Sequence, residues 1–155
     1  MAAPRPDPLL RLAASFDAYL TAVQDPALPE RVRDHDLRHM AFWHAYYADT
    51  LTAFASGQTP EVLSGTYKVI NRNAQRAHAE AGVEALLPRL QTAQGTVLAA
   101  AAQVPAQTMI PYKKGSRPYA RDAYIGVVAE HFDMHLRYLH GIAQGAPEDT
   151  WVFHI

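Results

Sequence analysis

Two histidines near the C-terminal end of the chain, His131 and His135, are four residues apart in a segment with the periodicity of an amphipathic helix. Residues at this spacing project from the same helix face, one turn from each other, so both imidazoles can reach a single metal ion. Both also fall within the apolar stripe, where a ring nitrogen needs a hydrogen-bond partner or a metal ion. The alternative interpretation is a pair of core histidines bonded to carbonyls, tyrosines or water, and the spacing alone leaves it open.

A third nitrogen ligand is available from an earlier segment, which carries His35, His39 and His44. Three histidines with open coordination positions are typical of a catalytic metal site, because structural sites fill their shell with protein ligands. On a helical wheel of ~100° per residue, His44 lies near the centre of this segment's apolar stripe, and His39 lies roughly 130° away. Periodicity therefore favours His44 as the third ligand.

Four amphipathic segments must position these histidines. The first helix is signalled by Asp7 as N-cap and Pro8 at the first helical position, and it ends at the break over residues 25–29. The second long helix is expected to begin near Asp34 or Asp36 and to run to about Ser56. The third and fourth are expected at about residues 83–104 and 119–144, with a shorter helical stretch at 67–80. Pro88 either lies in a late-starting first turn of the third long helix or kinks it.

The connections between these segments complete the predicted topology. The link between the second and third long helices is too long for a simple hairpin, which indicates a crossover connection. The loop at 105–118 carries Lys113, Lys114 and Arg117 and is expected to be a solvated turn around Gly115. The alternative is a basic loop that attracts an anionic substrate or a thiol cofactor. Because no segment alternates like a strand, the prediction is an all-α four-helix bundle.

Length and composition narrow the class of protein. The 155 residues fit one domain, 1–155, with a core at about 7–144. The C-terminal tail, 145–155, is apolar enough from Trp151 onward to dock on the bundle or on a partner subunit. A net charge of -1 favours neither a nucleic-acid partner nor a membrane partner, and the absence of cysteine excludes disulfides and thiolate ligands. No signal peptide or membrane span is apparent, so a cytoplasmic protein is expected.

Two runs of residues resemble a known superfamily. The run DLRHMAFWH at 36–44 is similar to the second-helix signature of the DinB-like (damage-inducible) superfamily, and AEHFDMH at 129–135 resembles its last-helix His-x3-His pair. Carried over residue by residue, the resemblance implies that the metal ligands are His39, His131 and His135, with His44 as the alternative third ligand. It also implies an up-down-down-up bundle, a homodimer and a bound zinc or nickel ion.

A looser similarity is to the DfsB-type group of four-helix bundle proteins, which includes the colibactin self-resistance protein. It rests on AFWH at 41–44, on YKVIN at 67–71 and on the order of the segments. Several members of that group lack the second histidine of the last-helix pair, whereas this chain retains both.

These features predict a metal-dependent enzyme that acts on a small molecule. Characterised DinB-like proteins include thiol-dependent transferases and isomerases, so the resemblance implies a small-molecule hydrolase or an S-transferase that uses a low-molecular-weight thiol, with water in the open metal positions. The alternative is a non-catalytic binding, sequestration or stress-resistance protein with structural histidines. Residues are also available to line a substrate cleft: Trp43, Tyr47, Tyr67, Asn71 and Tyr124. No catalytic side chain is singled out, since glycine-rich phosphate loops, nucleophile elbows and HExxH motifs are absent.

Overall fold

A computed structural model describes residues 7–148 of the chain. This part contains five α-helices and one two-stranded antiparallel sheet: α1 Pro8–Val23, α2 Glu30–Ala55, α3 Tyr67–Ala77, α4 Val83–Ala101, β1 Met109–Ile110, β2 Tyr119–Ala120 and α5 Arg121–Ala143. The predicted all-α class is confirmed at this level. The tail segment from Trp151 onward lies outside the described residues. No helix in residues 7–148 combines the length and apolar character needed to cross a bilayer.

The four long helices pack as two pairs around one hydrophobic core. Helix α2 lies along α4, and α1 lies along α5, while the shorter α3 rests on α2. Side chains from all four long helices meet in the core, among them Leu12, Trp43, Leu90 and Phe132, each of which is fully buried. Burial of each such side chain contributes about 1.5–3 kcal/mol, so this shared core holds the two pairs together.

Helix ends agree with local signals in some places and not in others. Helix α1 begins as predicted, with the Asp7 carboxylate accepting a hydrogen bond from the Leu9 amide at 2.8 Å. Helix α2 begins at Glu30, about one turn before the predicted start. Pro29 directly precedes it, at a position where the missing amide proton costs no helical hydrogen bond. Helix α4 ends at Ala101 rather than near residue 104, and it accommodates Pro88 within its length.

The loop between α4 and α5 contains the two short strands, which the sequence did not predict. Met109 pairs with Ala120, and Ile110 pairs with Tyr119, so the intervening residues form a hairpin loop. The turn at Gly115 has a φ of 87°, as a glycine turn allows. The rest of the loop is anchored, because the Lys114 amide donates to the Leu63 carbonyl at 2.8 Å.

Candidate metal centre

Three buried histidines meet between α2 and α5. His39 comes from α2, His131 and His135 come from α5, and one ring nitrogen of each lies within 4.8 Å of the others. The Nε2 atoms of His39 and His131 are 3.0 Å apart. The His39 ring stacks on His135 with centroids 4.7 Å apart, and His131 meets His135 edge-on at 4.8 Å. The structure therefore brings together the helical pair and the third histidine that the resemblance implied.

The 3.0 Å separation between the two Nε2 atoms fits two nitrogens bound to one ion. Two ligands at ~2.1 Å from an ion lie about 3.0 Å apart when they subtend a right angle, and about 3.4 Å apart at a tetrahedral angle. The same distance fits a hydrogen bond, in which one ring donates its Nε2 proton to the other. An all-imidazole donor set suits zinc, nickel, copper or iron and is uncharacteristic of magnesium or calcium.

A buried carboxylate orients one of the three rings. The Nδ1 atom of His135 lies 2.7 Å from Oδ1 of Asp36, and the Tyr19 hydroxyl donates to Oδ2 of the same carboxylate at 2.7 Å. Since a carboxylate only accepts, Nδ1 of His135 carries the proton, and Nε2 keeps the lone pair for a metal. Burial raises the pKa of Tyr19 well above its usual value of 10.0, and the charge of Asp36 adds to the effect. Tyr19 therefore stays a neutral donor.

Two tyrosines hold the second ring of the pair. The Tyr47 hydroxyl lies 3.3 Å from Nδ1 of His131 and 2.5 Å from the Tyr112 hydroxyl. Burial raises the pKa of Tyr47 well above 10.0, so the tyrosine is neutral and can either donate or accept. When Nε2 of His131 binds a metal, Nδ1 donates to Tyr47, and Tyr47 in turn donates to Tyr112. This arrangement matches the outer hydrogen bonds that usually fix a metal-binding histidine.

His44, which periodicity favoured as the third ligand, lies on a different side of α2. Its Nε2 is 2.7 Å from Oε1 of Gln94 on α4, and its ring packs edge-on against Phe132 with centroids 4.9 Å apart. Burial lowers the pKa of His44 to about 4, although the bond to Gln94 opposes the shift. His44 is thus a neutral core histidine paired with an amide, and it does not join the cluster.

A cavity of about 500 Å³ leads from the surface to His131. Its lining combines tyrosines, small and apolar side chains and three charged ones: Arg11, Tyr67, Tyr112, Ser116, Arg117, Tyr119, Ala123, Gly126, Val127, Glu130, His131 and Met134. The volume falls in the range of small-molecule sites. Of the three histidines, only His131 lines it.

The predicted cleft residues are divided between this cavity and the core behind it. Tyr67 lines the cavity, whereas Trp43, Tyr47 and Tyr124 are fully buried. The Trp43 indole donates to Asn71 at 2.7 Å, which fixes α3 against α2. The other four predicted residues therefore lie behind the cavity wall and do not form its surface: Trp43, Tyr47, Asn71 and Tyr124.

Sequence reasoning missed the role of Asp36, which it treated only as a possible helix start. Asp36 lies three residues before His39, so the two side chains share a face of α2, and that spacing was the available signal. It also missed Arg11, which reaches the cavity from α1. No local pattern could indicate that contact, since Arg11 and its partners on α5 are distant in sequence.

Comparison of the chain with protein-family models, with curated proteins and with solved structures gives no match. The case for a metal centre therefore comes from the distances, burial and donor set described above.

Proposed function

We propose that this chain is a metal-dependent enzyme in which His39, His131 and His135 hold a zinc or nickel ion beside the cavity. The observation that carries the proposal is the convergence of three buried ring nitrogens within 4.8 Å of one another. One divalent ion satisfies all three acceptors at once and leaves further positions for a substrate. The reaction class that we infer is hydrolysis of a small molecule or transfer of a low-molecular-weight thiol to an electrophile.

When bound, such an ion supplies Lewis acidity, which polarises a substrate group or lowers the pKa of a water or thiol. The chain itself positions the reacting partners. Asp36 keeps His135 in one tautomer, and Tyr47 restrains the ring of His131. Because the cavity reaches the cluster at His131, we infer that substrate enters through it, past the side chains of Tyr112 and Met134 that line it.

The DinB-like fold is part of the same proposal. Two observations support it: the paired packing of the four long helices and the position of α3 in the connection between α2 and α4. The ligands also come from the second helix and the last helix, as the resemblance implies. We infer the up-down-down-up order on this basis. A homodimer is proposed from the resemblance alone, and light scattering after size-exclusion chromatography would measure the oligomeric state.

A non-catalytic function is the second candidate, and one contact favours it. A continuous series of hydrogen bonds can run from the Tyr47 hydroxyl through His131 to His39. In this series Tyr47 donates to Nδ1 of His131, and Nε2 of His131 donates to His39. In that arrangement the histidines stabilise the core without a metal. The cavity would then sequester a small molecule and leave it unchanged.

Elemental analysis separates the two candidates. Wild-type protein, incubated with zinc or nickel and desalted, is expected to retain about one ion per chain, and the double variant His131→Ala, His135→Ala is expected to retain none. His140→Ala is the matched control, because His140 lies exposed on the same helix and should leave the metal content unchanged. Equal metal content in wild type and double variant would refute the metal centre.

Turnover is measured on the loaded protein with two probes. Hydrolysis of 4-nitrophenyl acetate tests the hydrolase class, and conjugation of glutathione to 1-chloro-2,4-dinitrobenzene tests thiol transfer. The enzyme proposal expects turnover of one of them that follows metal content and disappears in the double variant. Stoichiometric metal with turnover of neither probe would contradict the enzyme proposal and favour a non-catalytic protein in which the metal stabilises the fold.

A further inference from the structure

The cavity beside His131 has two chemically different ends. Its inner end is formed by His131 and Tyr112, and its middle is lined by apolar and aromatic side chains such as Val127, Met134 and Tyr67. Arg117 stands exposed at the outer end. A ligand that fills this space must therefore present an apolar body between two polar ends.

Most of the charge near the cavity is already neutralised. The Arg11 guanidinium lies 3.3 Å from Glu130 and 3.2 Å from Asp133, and Glu130 also binds Arg137 at 3.1 Å. This group of two arginines and two carboxylates forms one side of the cavity rim. It carries no net charge that would attract a ligand.

Two cations next to the cavity, Arg117 and Lys113, have no carboxylate partner within residues 7–148. Arg117 lies over the ring of Tyr119 at 4.7 Å, and the Lys113 ammonium lies over the ring of Tyr67 at 5.0 Å. Both tyrosines line the cavity. Although the chain as a whole has a net charge of -1, this edge of the cavity is positively charged.

The loop that carries these cations is held in place. The Tyr46 hydroxyl donates to the Tyr112 carbonyl at 2.9 Å, and the hydroxyl of Ser116 both accepts from the Lys113 amide and donates to its carbonyl. Together with the bond from Lys114 to Leu63, these contacts fix the loop against α2 and the crossover segment. A cation that is already positioned loses less entropy when it binds an anion.

We propose that the cavity binds a small organic anion, in which a carboxylate, phosphate or sulfonate group is attached to an apolar or aromatic body. The anionic group pairs with Arg117 and Lys113 at the rim, and the body lies against Tyr67 and Met134. The far end of the ligand then reaches His131. This assignment names the substrate class of the proposed enzyme and rests on that proposal, but the rim contacts themselves require no metal.

The test measures binding of 3-phenylpropionate and of its neutral amide by isothermal titration calorimetry, in zinc-loaded and in metal-free full-length protein. The acid is expected to bind more tightly than the amide in both forms. Arg117→Gln should weaken binding of the acid about 5- to 10-fold, because it removes the charge that pairs with the anionic group at an exposed position, and it should leave the affinity for the amide unchanged. Lys114→Gln is the matched control on the same loop, because Lys114 is exposed and does not line the cavity.

A second variant locates the body of the ligand. Val127→Phe places a large ring in the cavity without a change of charge, and it should weaken the acid and the amide alike. Thermal unfolding of each variant checks that the chain is folded.

Three results would overturn the assignment. They are equal affinity for acid and amide, an unchanged affinity for the acid in Arg117→Gln, and no saturable binding of the acid by wild-type protein. Acid binding that appears only with zinc and is insensitive to Arg117→Gln would place the anion on the metal and also contradict the rim site. Failure of the metal proposal is a separate outcome, since it appears in the elemental analysis and leaves the metal-free titrations interpretable.

Discussion

Two buried histidines on α2, His39 and His44, lie in different surroundings on two sides of the same helix. His39 faces α5, where its ring lies beside the imidazoles of His131 and His135. The carboxylate of Asp36 is hydrogen-bonded to His135. The ring nitrogen of His44 instead pairs with the single amide of Gln94 on α4, and its ring packs against Phe132. Their exposed fractions are similar, 7% and 1%, so burial does not distinguish them. What distinguishes a candidate ligand from a core histidine is the set of neighbours that its ring nitrogens meet.

The largest expected effect comes from removing each histidine in turn and measuring zinc affinity. His39→Ala should weaken zinc binding about 1,000-fold, because it removes one of three ligands from a binding free energy of ~10–16 kcal/mol. The double variant His44→Phe, Gln94→Leu should bind zinc as wild type does. Competition against a chromophoric chelator gives both affinities. If the His44 variant loses zinc instead, the two histidines have been assigned the wrong roles.

The next effect is the contribution of His44 to acid stability. Its pKa is about 4 in the folded chain and 6.5 in the unfolded chain, so only the unfolded chain gains a proton as the pH falls between these values. The folded state should therefore be fully stable above pH 6.5 with respect to this group and lose up to roughly 3 kcal/mol by pH 4.

A comparison of the double variant His44→Phe, Gln94→Leu with wild type isolates the contribution of His44 to the free energy of unfolding. Urea unfolding of both proteins without metal, from pH 7.5 to 4, should show a flatter pH dependence for the variant. Burial also lowers the pKa values of His35 and His78, which contribute with the same sign in both proteins and cancel in the difference. The same slope in both proteins would show that His44 is not held neutral by the fold.

A third prediction tests whether Asp36 acts through His135. Asp36→Asn keeps an oxygen that can accept from Nδ1 but removes the charge, so zinc affinity should fall about 10- to 100-fold with the stoichiometry unchanged. Asp133→Asn on α5 serves as the control, since its carboxylate binds Arg11 rather than the cluster. An affinity that is the same in Asp36→Asn and in wild type would show that the carboxylate stabilises the fold and not the metal ligand.

The smallest effect is expected at Tyr19, which touches the site only through Asp36. Tyr19→Phe removes one hydrogen bond and should lower the free energy of unfolding by about 1 kcal/mol. Its effect on zinc affinity should be smaller than that of Asp36→Asn. A larger loss of zinc in Tyr19→Phe would reverse the order of contacts that we infer from Tyr19 to His135.

The sequence predicted the features that depend on local spacing. Asp7 and Pro8 indicated the start of α1, and the four-residue spacing of His131 and His135 placed both rings on one face of α5. These predictions succeed because a cap and a helical repeat act within a few residues of one another. The hairpin strands are only two residues long, too short to produce an alternating pattern.

The helical wheel favoured His44 because it assumes that a helix has one buried face. Helix α2 is buried on two sides. One side faces α5 and includes Asp36, His39 and Tyr47, and the other faces α4 and includes His44 and Ala48. The helical wheel averages the directions of the two buried faces, and the average lies between them. The wheel therefore placed His39 outside the apolar stripe, and only the family resemblance pointed to that residue.

The cavity could not be predicted from local patterns. Its rim brings Arg11 from α1 together with Glu130 from α5 and Arg117 from the hairpin loop, and each of these contacts depends on how the helix pairs pack. Periodicity gives the face of each helix but not which two faces meet, and it gives no position for a side chain in a loop.

Crystallographic anomalous scattering at the zinc edge from zinc-loaded protein tests the metal centre most directly. The expected result is one strong peak at ~2.1 Å from Nε2 of His39, with ring nitrogens of His131 and His135 at similar distances. A peak beside His44, or no peak in the cluster of a protein soaked with excess zinc, would contradict the three-histidine site.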